Sequence, residues 1–443
     1  MQTPIVDFLK AYDGKNMLRF HMPGHKGKSV LGVEAWDITE VSGADSLYEA
    51  GGIIAQSEAN ATALFASKAS FYSTEGSSQC IRAMLHLVMQ CRKNGRPPVI
   101  LAARNVHKAF VYAAALLDIQ LRWLWPEESN SICSCHISAE KLERVLSDMD
   151  EAPAAVYITS PDYLGHLTDI PALAAVCHRY GTLLCVDNAH GAYLHFLKEP
   201  MHPLDLGADM CCDSAHKTLP VLTGGAYLHI SRKLPAEYVD RAKNALALFG
   251  STSPSYLTMA SLDVCNAYLA DAFPGELETF IEKLVGMKKR LSEQGWCVEE
   301  SDPLRLTLRA PGIELSEILR KKGIEAEYAD KDYLVFMLTP ANTAEELECL
   351  ETALLSLRPM HKEKTFFHLH ELKQCTSVRE AVFGASETVP VNEALGRICA
   401  SPMVSCPPAI PIVVSGEMLN EESLDLFGYY GIKTIEVLKV PGV

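Results

Sequence analysis

The run Asp213-Ser214-Ala215-His216-Lys217-Thr218, followed by Gly224 and Gly225, sets a lysine beside a histidine just after a short apolar stretch. A lysine so placed is a candidate for a Schiff base with a carbonyl cofactor. Pyridoxal phosphate needs such an amine, an acid that keeps its pyridine nitrogen protonated, a phosphate cradle and a group packed on its ring. The chain offers each of these. Asp187 closes an apolar run, where a buried carboxylate is costly unless a cation such as a pyridinium meets it. Gly76, Ser77 and Ser78 open a helical pattern whose free N–H groups and dipole suit a phosphate. His107, after another apolar run, is placed to lie against the ring. Taken singly, each feature has a plainer reading: a solvated lysine, an ordinary N-cap, a structural Asp-x-x-His pair. Their order along one chain carries the inference.

The elements that must position these residues show in the hydrophobic pattern. Ile81, Met84, Leu85 and Val88 recur at helical spacing after the Thr74-Glu75-Gly76-Ser77-Ser78 turn, and Gly95 stands where that helix would end. Short runs at Val99–Ala102, Ala154–Thr159, Thr182–Asp187 and Gly225–Ile230 suit buried strands, and Ile170–Tyr180 reads as a helix closed by Gly181. Strand and helix in alternation predict an α/β fold, a mostly parallel sheet flanked by helices. Ligands in such sheets sit at the carboxyl ends of the strands. The polar residues there are Asn105 to Lys108, Pro161 to Tyr163, and Asp187 to His190.

Beyond Ser261 the character changes. Arg305–Leu308 alternates like a half-buried strand, and Tyr333–Leu338 is another apolar run. Thr343 to Glu346 resembles a capping box that opens a helix with Leu347, Leu350, Leu354 and Leu357 on one face. The expected division is an arm over 1–40, a cofactor-binding large domain over 41–260, a small α+β domain over 261–360 and a C-terminal segment over 361–443. Met360–His370 reads as the linker into that last segment, where Pro407, Pro408 and Pro411 exclude a long regular helix.

Composition bounds the partners. The 443 residues carry 40 Lys and Arg against 55 Asp and Glu, a net charge of −15, which argues against nucleic acid and against an anionic membrane surface. It also supplies a field that attracts cations. No apolar window reaches the roughly 18 residues of a membrane span, and no signal peptide opens the chain. Fourteen scattered cysteines fit reduced thiols. A cytoplasmic location is the expectation. Cys133-Ser134-Cys135-His136 lacks a second ligand pair at zinc-finger spacing, so no metal is expected. Cys211 and Cys212 read as strand filling, Trp123 and Trp125 as packing, and His195, His202 and His229 show no ligand spacing.

Phe20-His21-Met22-Pro23-Gly24-His25-Lys26-Gly27, Val186 to Ala192, Ser214 to Leu219 and Ser251-Thr252-Ser253-Pro254-Ser255-Tyr256 resemble the bacterial ornithine/lysine/arginine decarboxylases. Gly396-Arg397 and the stretch from Pro407 to Glu417 are similar to that family's C-terminal part. The resemblance implies the fold type I architecture of pyridoxal-phosphate enzymes, that of aspartate aminotransferase. It implies that Lys217 forms the Schiff base, Asp187 pairs with the pyridinium, His107 stacks on the ring and His190 lies on the cofactor's hydroxyl side. Ser77, Ser78, Ser214 and His216 would bind the phosphate, and Ser253 would reach the phosphate of a neighbouring subunit in a homodimer with shared sites. It also implies the shorter kind of family member, without an N-terminal wing.

The implied activity is decarboxylation of arginine, lysine or ornithine, with arginine or lysine favoured over ornithine, giving a polyamine or its precursor. Which bond of the bound substrate stands perpendicular to the ring decides between loss of CO₂ and transamination, so an aminotransferase or lyase of the same fold is the first rival reading. A non-catalytic paralogue acting as a scaffold is the second. Lys217 or a nearby histidine would return the proton to Cα. Four residues in three motifs depart from the family pattern: Ala109, Asp162, and Cys406 with Ala409. A long cationic side chain needs a carboxylate partner, and Asp45, Glu49, Asp162, Glu327 and Glu417 are the candidates. Arg305 reads either as the partner of the α-carboxylate or as a solvated residue.

Overall fold

Short apolar runs bounded by turns become strands that, apart from Gln120–Leu124 at the end of its sheet, are buried along nearly their whole length, as a sheet covered on both faces requires. They are β1 (Ala69–Ser73), β2 (Val99–Ala103), β3 (Gln120–Leu124), β4 (Ala155–Thr159), β5 (Leu183–Asp187), β6 (Met210–Asp213) and β7 (Ala226–Ile230). The computed structural model describes residues 1–92, 98–127, 131–363, 371–402 and 408–439. The expected helix end at Gly95, the departure at Cys406, Pro407 and most of the expected linker lie outside them. The chain forms two compact units, Met1–Arg92 with Cys185–Thr279, and Lys93–Leu184 with Phe280–Val443.

In the first unit the strand order is β1-β7-β6-β5. β5 and β6 run parallel, while β7 is antiparallel to both β6 and β1. Two reversals restore the direction, so β1, β5 and β6 all point the same way. Their carboxyl ends, Ser73, Asp187 and Asp213, therefore emerge at one edge. The helix Gly76–Cys91 follows β1 and buries Ile81, Met84, Leu85 and Val88, the four residues whose spacing predicts it. A short helix, Ala215–Thr218, follows β6 and carries Lys217.

In the second unit β4, β2 and β3 are parallel neighbours in that order. The parallel step from β2 to β3 needs a crossover, and the helix Lys108–Leu117 supplies it. The helix Ile170–Arg179 is capped by Asp169, whose side chain accepts from the Ala172 N–H, and Gly181 follows with φ +64°. β3 alternates between exposed and half-buried positions, as an end strand of its sheet does.

The same unit holds a small antiparallel sheet, β8 (Arg305–Arg309), β9 (Tyr328–Ala329) and β10 (Tyr333–Met337), in the order β8-β10-β9. The Thr343 and Glu346 capping box forms and opens the helix Ala344–Leu355. Leu347, Leu350 and Leu354 are buried on it; Leu357 lies past its end. The C-terminal segment adds an antiparallel pair, β11 (Ser386–Pro390) with β12 (Thr434–Leu438). Its Val413, Phe427, Ile435 and Val437 pack into one core with Cys133, Leu164 and Val335.

Candidate active site

Lys217 and His190 meet at the carboxyl ends of β5 and β6. The Lys217 Nζ lies 3.1 Å from the His190 Nε2, and His190 is buried. Asp187, at the end of β5, is 2% exposed. Its Oδ1 accepts from the Ala189 N–H at 3.2 Å and from the Cys212 thiol at 3.7 Å. That thiol stays protonated, because burial, and next the Asp187 charge, push it well above its ordinary range. Cys212 is thus an S–H donor inside the strand, in keeping with strand filling rather than redox chemistry.

A second group of donors gathers at the start of the helix Gly76–Cys91. Among the described residues, no side chain caps this helix end. The Ser214 Oγ donates to the Ser77 Oγ at 2.8 Å, which draws the turn before Lys217 onto the first helical turn. Gly76, at φ +72°, donates its N–H to the Gly224 carbonyl at 2.7 Å. The His216 Nδ1 sits 3.0 Å from the Gly225 carbonyl and donates to it. Burial, with Lys217 as a lesser cause, holds the His216 ring below the usual histidine range although that carbonyl pulls it up. Gly224 is at φ +95°, and a Cβ there would stand 2.5 Å from the Thr74 carbonyl oxygen, so the turn admits only glycine.

This set fits a phosphate monoester of an aromatic aldehyde. An amine stands ready for the aldehyde, a buried carboxylate for a ring cation, and hydroxyls with open helix N–H groups for the phosphate. The buried Asn188 Oδ1, next to Asp187, has no hydrogen-bond partner among the described residues.

The other expected residues lie as follows. His107, in the second unit, is the N-cap of the helix Lys108–Leu117; its Nδ1 accepts from the Ala109 N–H at 3.1 Å, which fixes the ring. Ala109 contributes that backbone bond and no hydroxyl. Ser253 is exposed, its N–H bonded to the Ser251 Oγ at 3.1 Å. Arg305 is not solvated. It is 2% exposed, its guanidinium 3.3 Å from Asp302 and bonded to the Tyr163 carbonyl at 2.7 Å. Several carboxylates considered for the substrate amine hold the chain's own groups. Asp45 accepts from the N–H groups of Gly52 and Ile54 (2.8 and 3.1 Å), Asp162 pairs with His166 at 2.9 Å, and Glu417 pairs with Arg104 at 3.2 Å. Glu327 accepts from the Tyr163 hydroxyl at 2.7 Å and is exposed, as is Glu49.

One cluster escaped the sequence reading. His202, Cys211, Asp213 and His229 meet in the interior of the first unit, all fully buried. Their positions are spread over β6, β7 and the loop before β6, and only the pairing of β6 with β7 brings them together.

Comparison with known proteins supplies the family. The model described as "Orn/Lys/Arg decarboxylase, major domain" matches residues 3–310, and that of the "Orn/Lys/Arg decarboxylase, C-terminal domain" matches residues 360–443. An arginine decarboxylase of Bacillus subtilis (strain 168) is 28% identical over 96% of this chain and 92% of its own length. An uncharacterized protein of the same organism, YaaO, is 29% identical over 96% and 93%. Among solved structures, the constitutive lysine decarboxylase of E. coli superposes with a TM-score of 0.77 at 19% identity, covering 99% of this chain and 82% of that one. A structure of SPT with PLP, 13% identical, matches 68% of this chain and 75% of that one with a TM-score of 0.54. The fold is that of the type I pyridoxal-phosphate enzymes, and the chain belongs to the Orn/Lys/Arg decarboxylase family.

Proposed function

We propose that the chain decarboxylates arginine, releasing CO₂ and the corresponding amine, with Lys217 as the residue that binds pyridoxal phosphate covalently. The observation that carries the site is the 3.1 Å contact between Lys217 and His190 beside the buried Asp187. Arginine is preferred over lysine and ornithine because the relatives named arginine decarboxylase are 26 to 28% identical, against 21% for those named lysine decarboxylase. The cofactor, when bound, supplies the electron sink for the carbanion left by CO₂.

The remaining work falls to the protein. Asp187 would keep the pyridine nitrogen protonated, since a buried carboxylate favours a cation beside it. His190 accepts from the Lys217 ammonium and can move a proton at its Nε2, which suits it to return one to the substrate Cα. Ser77, Ser78, Ser214 and the N–H groups from Ser77 onward would hold the phosphate, with Gly76, its N–H bonded to the Gly224 carbonyl, shaping the turn. A dianion there would also draw a proton onto His216, turning its Nε2 into a donor. His107, fixed through its Nδ1, is assigned to the face of the ring.

We take the molecule to be a cytoplasmic homodimer that contributes to polyamine biosynthesis, divided at residues 40, 260 and 360. The dimer is supported by Leu18, Phe20, Val30 and Leu31, which are 81 to 91% exposed, more apolar surface than a lone chain tends to leave in one segment. It is supported too by the exposed Ser253. No described helix is long and apolar enough to cross a membrane.

Borohydride reduction of the holoenzyme, followed by peptide mass mapping, tests the assignment. The expected product is pyridoxyl phosphate on the peptide containing Lys217; label on any other lysine overturns it. Light scattering that reports a monomer at working concentration would remove the shared-site dimer.

A further inference from the structure

Asp213 is 0% exposed, yet it is surrounded by donors. Its Oδ1 accepts from the Asn188 Nδ2 at 2.7 Å. Its Oδ2 accepts from the His202 Nε2 at 3.0 Å and the His229 Nε2 at 3.2 Å. The tautomers follow from the other ring nitrogens. The Leu204 N–H donates to the His202 Nδ1 at 3.4 Å, so that ring carries its hydrogen on Nε2. The Ser70 Oγ stands 2.7 Å from the His229 Nδ1 and 2.8 Å from the Ser67 Oγ, a chain of hydroxyls that can donate inward to the ring.

Two readings of this cluster compete. His202, Cys211 and Asp213 bring a nitrogen, a sulfur and an oxygen within 4.8 Å of one another, close enough for a metal ion. A metal at the His202 Nε2, however, would need the lone pair where the hydrogen sits and a hydrogen where Leu204 donates. Cys211 is also held as a thiol by burial, with the Asp213 charge next in effect. The second reading needs no added ion: a carboxylate whose charge is met by three N–H donors. Burial alone would drive the Asp213 proton back on, but His202 and His229 outweigh it and keep the group well below the ordinary carboxylate range.

We propose that Asp213 is a positioning residue, a buried anion that clamps Asn188 and so fixes Asp187 and His190 against Ser214 and Lys217. Asn188 lies between Asp187 and His190 in sequence, and Asp213 directly precedes the Ser214 that bonds Ser77. The clamp therefore joins the ends of β5 and β6 at the point where the cofactor's ring and phosphate contacts diverge. The backbone reinforces it, the Asn188 N–H donating to the Cys212 carbonyl at 3.0 Å. Asp213 needs no contact with the cofactor to act. This rests on the reading of Lys217 and Asp187 as cofactor residues.

The test is an amide–carboxylate exchange. Asp213→Asn places an NH₂ group against the Asn188 NH₂, or withdraws the oxygen that meets the histidines. The double variant D213N/N188D restores one carboxylate and one amide across the same pair. Asn188→Ala removes the clamp while leaving both histidine bonds intact. Pyridoxal-phosphate affinity, read from the absorbance band of the Lys217-bound cofactor, is expected to fall about tenfold or more in Asn188→Ala and Asp213→Asn, the scale of a lost hydrogen bond to a charge. The double variant should recover to within about threefold of the parent. kcat should fall with KM nearly unchanged, and the thermal midpoint of Asn188→Ala should fall as well, since the buried Asp213 Oδ1 loses the Asn188 donor. Parental affinity in Asn188→Ala overturns the proposal, as does a double variant no better than Asp213→Asn. If Asp213→Asn does not fold, Asn188→Ala decides alone. A parent enzyme without a Lys217-dependent band would instead refute the site reading itself.

Discussion

The Ser214 hydroxyl donates to the Ser77 hydroxyl across 2.8 Å, joining the turn that carries Lys217 to the first turn of the helix after β1. Phosphate binding at that helix start would use both groups, each already oriented by the other. Ser77→Ala and Ser214→Ala should each weaken cofactor binding by about five- to fiftyfold, the range of one or two charge-assisted hydrogen bonds. At saturating cofactor, kcat should stay within a few-fold of the parent. Equilibrium titration followed by the visible absorbance of the holoenzyme measures both; unchanged affinity would move the phosphate elsewhere.

Gly224 governs the same place from the other side. Its carbonyl receives the Gly76 N–H at 2.7 Å, and its own Cβ position is filled by the Thr74 carbonyl at 2.5 Å. Gly224→Ala should therefore displace the helix start, lowering stability by more than ~1 kcal/mol and loosening the cofactor together. Urea unfolding of apoenzyme and holoenzyme separates the two effects.

Glu34 organises the N-terminal segment. Its carboxylate accepts from the N–H groups of Val30, Leu31, Gly32 and Val33 at 2.8, 2.5, 2.9 and 3.0 Å. These bonds, that of Leu31 foremost, pull its pKa down to about 2. A glutamate in the unfolded chain titrates at about 4.3, so the stabilisation is complete above that value. It is lost as pH falls toward about 2. The gap in thermal midpoint between the parent and Glu34→Gln should be widest above about pH 5 and close toward about pH 2. A gap that does not change with pH would contradict the role of the charge. If the exposed Val30 and Leu31 face a second copy, Glu34→Gln should also weaken the dimer at neutral pH.

Arg104 and Glu417 form a buried pair in the second unit. The guanidinium reaches the Pro411 and Ile412 carbonyls, both at 2.9 Å, and lies 5.1 and 5.2 Å from the rings of Trp123 and Trp125. Those two tryptophans thus pack, as their sequence context suggests, and they pack on a cation. Glu417→Ala leaves the arginine's charge buried and uncompensated and should cost about 3–5 kcal/mol in denaturant unfolding. Glu417→Gln, which keeps an acceptor, should cost less. Equal costs would show that charge plays no part.

The legible part of this protein is the part written in local pattern. β2, β4, β5 and β7 follow from unbroken apolar runs, and the Thr343 and Glu346 capping box from residues three apart. Lys217, Asp187 and Ser77 stand at strand ends and a helix start, where chemistry in α/β sheets gathers. What stayed hidden depends on pairing between distant segments. β6 is only four residues long, and its neighbour β7 runs antiparallel, so nothing local links His229 to Asp213. Likewise β11 and β12 are far apart in sequence, and the prolines nearby point to an irregular segment rather than to a strand pair. The Arg305 pair with Asp302 is near in sequence, but the alternating pattern of the strand gave no sign that the arginine side faces inward.

The most direct measurement is release of CO₂ from carboxyl-labelled arginine, lysine and ornithine in parallel, with pyridoxal phosphate present, by the parent and by Lys217→Ala. The expected result is release from arginine above the other two, no keto acid formed, and loss of release in Lys217→Ala. A parent that binds the cofactor yet releases CO₂ from none of the three, or a Lys217→Ala variant that releases it as fast as the parent, would contradict the assignment.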